Sequence, residues 1–149
     1  MEPFKVEIFK EENQGKVFGF VSLDEFESGK VVGMLLSLTG ITNNRIETPV
    51  LFKHLERYIP NKVRYDDKGA GRDFLQSLMS ELSIKGSASS YIIWDMVSRV
   101  DEFKVESLID DWDYVWYDTS DEAMVIYIPE NKTVLLVTDH GYAAYKKYE

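Results

Sequence analysis

The sequence contains no cysteine, only two histidines and four prolines, and no long apolar run. The absence of cysteine excludes disulfide bonds and thiolate metal sites, and it is compatible with a reducing compartment. No apolar segment approaches the roughly 18 residues that a bilayer-spanning helix needs. The first sixteen residues lack the basic start and apolar centre of a signal peptide. We therefore expect a cytoplasmic protein that does not bind membranes.

The chain has 149 residues and is most simply a single domain, residues 1–149, of a size that can bury a core. Its net charge of −9 is unevenly distributed. Residues 1–75 carry 11 basic and 12 acidic side chains, whereas residues 76–149 carry 6 basic and 14 acidic ones. An acidic field repels phosphate backbones and attracts basic proteins. We therefore expect no direct contact with nucleic acid.

Hydrophobic periodicity predicts mixed secondary structure in the first half of the chain. Alternation with a period of two predicts a hairpin, with strands over residues 4–10 and 16–23. A short helix or turn near residues 23–28 is followed by a predicted strand over residues 30–38, because Gly29 and Gly33 weaken a long helix.

Apolar stripes at helical spacing predict four further helices. They cover residues 49–59, 72–84, 91–100 and 104–111. A short strand is predicted between the first two of these helices, at residues 62–65.

The period changes again near the C-terminus. Residues 112–148 are predicted to form a four-stranded antiparallel meander, with turns at Thr119–Asp121, Pro129–Lys132 and His140–Gly141. The predicted fold is therefore a single α+β domain, with helices packed on an antiparallel sheet that ends in this meander.

Two segments are candidates for a ligand site. His140 follows Asp139 at a strand end, where an imidazole can serve as a general base, although a glycine-containing turn explains the same residues. The loop Asp67–Arg72 offers Lys68 and Arg72 to an anion, but its glycines match neither a P-loop nor a dinucleotide fingerprint. His54, the other histidine, lies within a predicted helix and is interpreted as a packed or surface side chain.

Residues 110–122, DDWDYVWYDTSDE, concentrate six carboxylates and four large aromatic residues. Aligned with a calcium-binding EF-hand loop, the segment has Val115 and Trp116 where the loop needs an oxygen ligand and a glycine. We therefore predict no metal site and no cofactor. On a strand, Trp112, Tyr114 and Trp116 share one face, which favours a core-facing stripe over a carbohydrate platform.

The remaining interpretation of this segment is a contact surface for a basic partner. Carboxylates steer the encounter of two proteins, and Tyr and Trp supply anchors at the interface. A solvated acidic face that only aids solubility is the alternative. The predicted contact residues are Asp110, Asp111, Asp113, Tyr117, Asp118, Asp121 and Glu122.

In size, charge and its Asp/Tyr/Trp patch, the chain resembles the small acidic immunity proteins that bacteria use against nuclease toxins, and phage-encoded antagonists of host defence. That likeness implies a non-enzymatic protein that neutralises a basic toxin, nuclease or defence effector by occlusion. A second hypothesis is a small-ligand or nucleotide-binding domain, or an enzyme built on one, that uses Lys68, Arg72, Asp139 and His140. A third is a structural subunit that self-associates through the edge of its sheet.

Overall fold

A computed structural model describes residues 1–41, 48–65, 69–94, 99–117 and 120–149. The helices are α1 (Pro3–Glu12), α2 (Glu25–Thr39), α3 (Thr48–Tyr58), α4 (Arg72–Glu81), α5 (Val105–Asp110) and α6 (Trp112–Val115). The strands are β1 (Val21–Ser22), β2 (Asn61–Arg64), β3 (Ser89–Trp94), β4 (Asp101–Lys104), β5 (Ala123–Ile128), β6 (Thr133–Thr138) and β7 (Tyr142–Lys147). They form one antiparallel sheet in the order β1-β4-β3-β5-β6-β7-β2.

Helices cover both faces of this sheet, and each face has its own hydrophobic core. On one face α1, α4, α5 and α6 bury a cluster that includes Phe9, Leu78, Leu108 and Trp112. On the other face α2 and α3 bury a second cluster. Alternate residues of β5 belong to the two clusters, with Ile126 in the first and Val125 in the second. Burial on both faces explains why the central strands are continuously apolar rather than alternating.

The structure confirms the predicted α+β class and the antiparallel sheet. The predicted helices over residues 49–59, 72–84 and 104–111 correspond to α3, α4 and α5, and the predicted strand near residue 62 is β2. Strands β5, β6 and β7 are consecutive neighbours in the sheet, as the meander requires.

The turns of the meander are only partly described. The turn at Pro129–Lys132 is a single 3-10 turn over Pro129–Asn131. In the turn at His140–Gly141 the glycine has a φ of 86°, a conformation that glycine adopts without strain. Residues 118 and 119 of the first predicted turn lie outside the described part of the chain.

The predicted N-terminal hairpin is wrong. Residues 3–12 form α1, which buries Lys5 and Phe9, four residues apart on one side of the helix. The second predicted strand of the hairpin is reduced to the two residues of β1.

The predicted strand over residues 30–38 is also wrong, because these residues continue α2. The Asp24 carboxylate caps this helix by accepting a hydrogen bond from the Glu27 amide at 2.8 Å. Burial of Val31, Leu35 and Leu36 then outweighs the low helix propensity of the glycines.

The structure also corrects two predictions in the second half of the chain. The predicted helix over residues 91–100 is strand β3 up to Trp94, and residues 95–98 lie outside the described residues. The predicted first strand of the meander is replaced by the short helix α6. Within the described ranges, no helix combines the length and the hydrophobicity that a membrane span requires.

Candidate protein-binding surface

Residues 105–115, which include the first half of the acidic segment (residues 110–122), fold as two short consecutive helices, α5 and α6, because their apolar residues recur at helical spacing. Val105, Leu108, Trp112 and Val115 are all buried and are separated by three or four residues. This period places them on one side of the helical path, against the sheet. The indole N–H of Trp112 donates to the Ala70 carbonyl at 2.6 Å, which satisfies its buried donor. This helical spacing is present in the sequence, but the alternation of Trp112, Tyr114 and Trp116 led to the prediction of a strand instead.

Burying the apolar side places carboxylates on the outer side of α5 and α6. Asp110 and Asp113 are exposed, and Asp111 is half-buried between the two helices. Glu12 of α1 lies beside Tyr114, where interaction with it raises the pKa of the Tyr114 phenol, so Glu12 joins the group from the neighbouring helix. We call Glu12, Asp110, Asp111 and Asp113 the acidic surface.

Electrostatics within the acidic surface are partly unfavourable. Partial burial raises the pKa of the Asp111 carboxyl, and the neighbouring charge of Asp110 raises it further, while Lys16 lowers it. Arg72 of α4 forms an ion pair with Asp110, with 3.0 Å between Nη2 and Oδ1, at an exposed position. Exposed pairs of this kind contribute little to stability. The fold therefore holds these carboxylates close together with little compensation.

A buried ion pair fixes the end of the acidic segment. Lys5 is fully buried, and its Nζ donates to both Asp121 oxygens at 2.8 and 2.7 Å and to the Val115 carbonyl at 2.9 Å. The Asp121 carboxylate also accepts the Tyr117 amide at 2.7 Å. The lysine ammonium lies 4.6 Å from the centre of the Trp94 ring. All the donors of this lysine are satisfied, as a buried charge requires.

This pair corrects one of the predicted contact residues. Asp121 is only 5% exposed and points inward, so it does not lie on the acidic surface. Tyr117 is half-buried between Lys5 and Phe4, with its ring centre 5.6 Å from the phenylalanine ring. Glu122 is exposed just before β5, where its carbonyl accepts the Asp139 amide. Asp118 lies outside the described residues.

The residues of the second hypothesis do not form one group. His140 is held between two carboxylates, with its Nδ1 3.2 Å from Glu56 and its Nε2 3.3 Å from Asp139. Arg72 pairs instead with Asp110, and Lys68 lies outside the described residues. The turn therefore brings Asp139 against the imidazole, which strand alternation alone does not predict.

Glu56 contacts His140 but was not predicted from the sequence. Its Oε1 accepts a hydrogen bond from the Tyr142 hydroxyl, and this bond and the contact with His140 hold the pKa of Glu56 below its ordinary value against partial burial. Burial and the same bond raise the pKa of Tyr142 to about 12. Glu56 comes from α3, 84 residues from His140, so no local motif could indicate it.

A groove along α2 was also not predicted. It has a volume of about 900 Å³ and is lined by Gly29, Val32, Gly33 and Leu36 of α2, and Glu25, Ser28 and Arg99 also lie in its walls. Gly29 and Gly33, whose low helix propensity led to the wrong strand prediction, therefore leave open space on the surface of α2.

The chemistry of the acidic surface is that of exposed carboxylates beside aromatic rings. Among the described residues, no group of three or more His, Asp or Glu side chains is arranged to hold a metal ion. The acidic surface carries aromatic side chains beside its carboxylates, a combination that can meet a basic protein. No family model, curated protein or solved structure matches this chain.

Proposed function

We propose that the protein is a non-enzymatic inhibitor that binds a basic protein through the acidic surface. The observation that carries the proposal is the arrangement of Asp110, Asp111 and Asp113. Asp110 and Asp111 repel one another, Asp113 is exposed on the next helix, and the buried pair of Lys5 and Asp121 anchors the adjoining chain. A fixed cluster of like charges opposes folding, so a function in binding is the reason we infer for its retention.

The proposed mechanism is occlusion of a basic cleft. Side-chain carboxylates take the positions that phosphate groups of a substrate would occupy, since both bind Arg and Lys through charge-assisted hydrogen bonds. Tyr114 and Tyr117 flank the carboxylates and are partly exposed, so their rings are the proposed anchors. The partner class is a nuclease, toxin or other effector with a cationic active site. A cytoplasmic location is part of the proposal and fits the cysteine-free composition.

The proposal is tested by capture followed by binding kinetics. The immobilised protein is used to recover basic proteins from the source cell, and the association and dissociation rates of the recovered partner are measured. The test variant changes the three aspartates of the acidic surface to Asn. The control changes Glu81, Glu130 and Glu149 to Gln, which removes the same charge from exposed positions elsewhere.

The test variant should associate at least about tenfold more slowly at 0.01 M salt, whereas the control should stay within about twofold. The difference should shrink at 0.15 M salt, because the Debye length falls from about 30 Å to about 8 Å. If the two variants behave alike, net charge alone is responsible and the acidic surface is a solvated face.

A second candidate function is a small-ligand or nucleotide-binding domain centred on His140. It is favoured by the contacts of both imidazole nitrogens with carboxylates of Glu56 and Asp139. A carboxylate that orients a histidine is a common feature of general bases. Titration of the protein with nucleotides, followed by the ring resonances of His140, tests this candidate. Saturable shifts that Glu56→Gln abolishes would support it.

A further inference from the structure

A small cavity lies between α3 and the end of β7, on the face of the sheet opposite the acidic surface. Its volume is about 260 Å³. Leu55 and Ile59 form its apolar floor, and both are almost completely buried. At about 30 Å³ per water molecule, the cavity has room for roughly nine waters. An aromatic ring with one charged substituent is of this size.

Polar side chains from α3 and from the end of β7 lie in the walls of the cavity. His54 and Tyr58 lie one helical turn apart on α3, with ring centres 4.6 Å apart, and Lys146 and Tyr148 face them from the end of β7. Within the described residues no carboxylate pairs with the Lys146 ammonium, which lies 4.6 Å from the centre of the Tyr148 ring. A cavity with an apolar floor and a few convergent polar groups is the usual form of a small-molecule site.

The charges around this cavity favour an anion. None of its described lining residues is acidic. Glu56 projects from another side of α3, where it is engaged by Tyr142 and His140. Burial raises the pKa of the Tyr148 phenol, so at neutral pH this group is a hydrogen-bond donor rather than a competing anion.

We propose that this cavity binds a small aromatic anion, a ring that carries a phosphate or carboxylate group. The Lys146 ammonium pairs with the anionic group, and the Tyr58 and Tyr148 hydroxyls donate hydrogen bonds to it. The ring packs on Leu55 and Ile59. This site is separate from the proposed function, because α3 and the acidic surface lie on opposite faces of the sheet.

The test is a titration with phenyl phosphate, followed by the NMR resonances of the His54 and Tyr58 rings. Benzoate tests a carboxylate in place of the phosphate, benzamide is the neutral ligand of similar size, and inorganic phosphate lacks the ring. We expect saturable binding of phenyl phosphate or benzoate with a Kd of about 1 mM or tighter, a modest affinity for so few atoms. Benzamide and inorganic phosphate should bind at least about tenfold more weakly, since each loses one part of the recognition.

Two variants on one strand give a matched comparison. Lys146→Met keeps the apolar stem and removes the ammonium, and it should weaken binding by at least about tenfold. Lys147→Met makes the same change at the next residue, which points to the opposite face of the sheet, and should leave binding within about twofold. Tyr148→Phe should weaken it by a few fold through the lost hydroxyl.

Three outcomes would overturn the proposal. They are no saturable shift with either anion at about 10 mM, equal binding of benzamide, and equal weakening by both lysine variants. The last outcome would mean that the ligand responds only to net charge. Thermal melting of each variant separates lost binding from lost folding, and Tyr148→Phe provides a second test if Lys146→Met is unstable.

Discussion

The charged side chains on the two faces of the sheet have different surroundings. On one face the acidic surface concentrates carboxylates beside one another, and the pKa of Asp111 is raised as a result of its partial burial and of the Asp110 charge. On the other face and the adjoining sheet edge, basic side chains rest on tyrosine rings. Arg57, Lys62 and Lys146 lie 5.5, 5.0 and 4.6 Å from the centres of neighbouring rings.

Charges of the first kind destabilise the folded state, whereas charges of the second kind stabilise it slightly. A cation on an aromatic ring is mildly stabilising and remains spaced from its neighbours. Adjacent carboxylates repel one another and gain no such stabilisation, so a rigid structure beneath them has to hold them in place. Under the acidic surface that rigidity comes from Lys5 and Asp121, and the predictions below test each side of this comparison.

The largest expected effect is on the buried ion pair. Lys5→Met should lower the free energy of unfolding by about 3–5 kcal/mol, because it leaves Asp121 buried without a partner. Lys10→Met makes the same change at an exposed position of α1 and should have little effect. Urea denaturation measures both variants.

A double variant distinguishes the loss of a partner from a general weakening of the core. Lys5→Met combined with Asp121→Leu removes both charges and should recover a good part of the stability. If Lys5→Met alone is as stable as the natural chain, this pair does not anchor the acidic segment. The rigidity inferred beneath the acidic surface would then need another source.

This buried lysine also shows why part of the fold could not be predicted from the sequence. The alternation of Phe4, Val6 and Ile8 indicated a strand, but the residues that α1 buries are Lys5 and Phe9. Lysine is almost never fully buried without a partner, and here the partner is 116 residues away. Only the tertiary structure brings the two together.

The elements that were predictable have local signals that agree with their burial. The helix α4 shows an apolar stripe at helical spacing, and β6 and β7 are separated by a glycine turn. Strand β3 was mistaken for a helix because a short apolar run buried on both faces has no period. The exposed positions of Asp110 and Asp113 were therefore predictable, whereas the partial burial of Asp111 and the inward position of Asp121 were not.

The second prediction concerns the opposite side, where Tyr142 donates to Glu56. The folded pKa of Tyr142 is raised to about 12, so the native state retains a proton that the unfolded state loses. Its contribution is fully present below about pH 10 and is lost as the pH rises through about 12. In Tyr142→Phe the fall in stability between these values should be smaller by about 2 kcal/mol.

Glu56→Gln is the companion variant, because it removes the charge that helps to raise the pKa of Tyr142. It should also reduce the alkaline loss of stability, but by less than Tyr142→Phe, since burial is the larger cause. Urea denaturation at a series of pH values measures both. An alkaline loss that is the same in the natural chain and in both variants would mean that this cluster does not couple to folding.

The third prediction tests whether the groove of α2, rather than the acidic surface, is the contact surface for the partner. A methyl group added at Gly29 or Gly33 would meet no packing neighbour within 4 Å. Gly→Ala at each position should therefore stabilise the protein by about 0.5–1 kcal/mol through helix propensity. Binding of the captured partner should not change. If the substitutions stabilise the fold but abolish binding, the groove is the contact surface and the acidic surface is not.

The smallest expected effect on stability is that of Asp111→Asn, and it bears most directly on the comparison. A raised folded pKa means that the contribution of neutral Asp111 is present below the unfolded value of about 3.8 and is lost as the pH rises through the folded value. At neutral pH the charge therefore opposes folding, and removing it should raise stability by about 0.5 kcal/mol.

Asp113→Asn, at an exposed position, should leave stability unchanged. Both variants should slow association with a basic partner at low salt, which thermal melting and binding kinetics measure together. A gain in stability with slower binding would mean that the acidic surface trades stability for recognition, whereas a loss of stability in Asp111→Asn would show that its charge supports the fold.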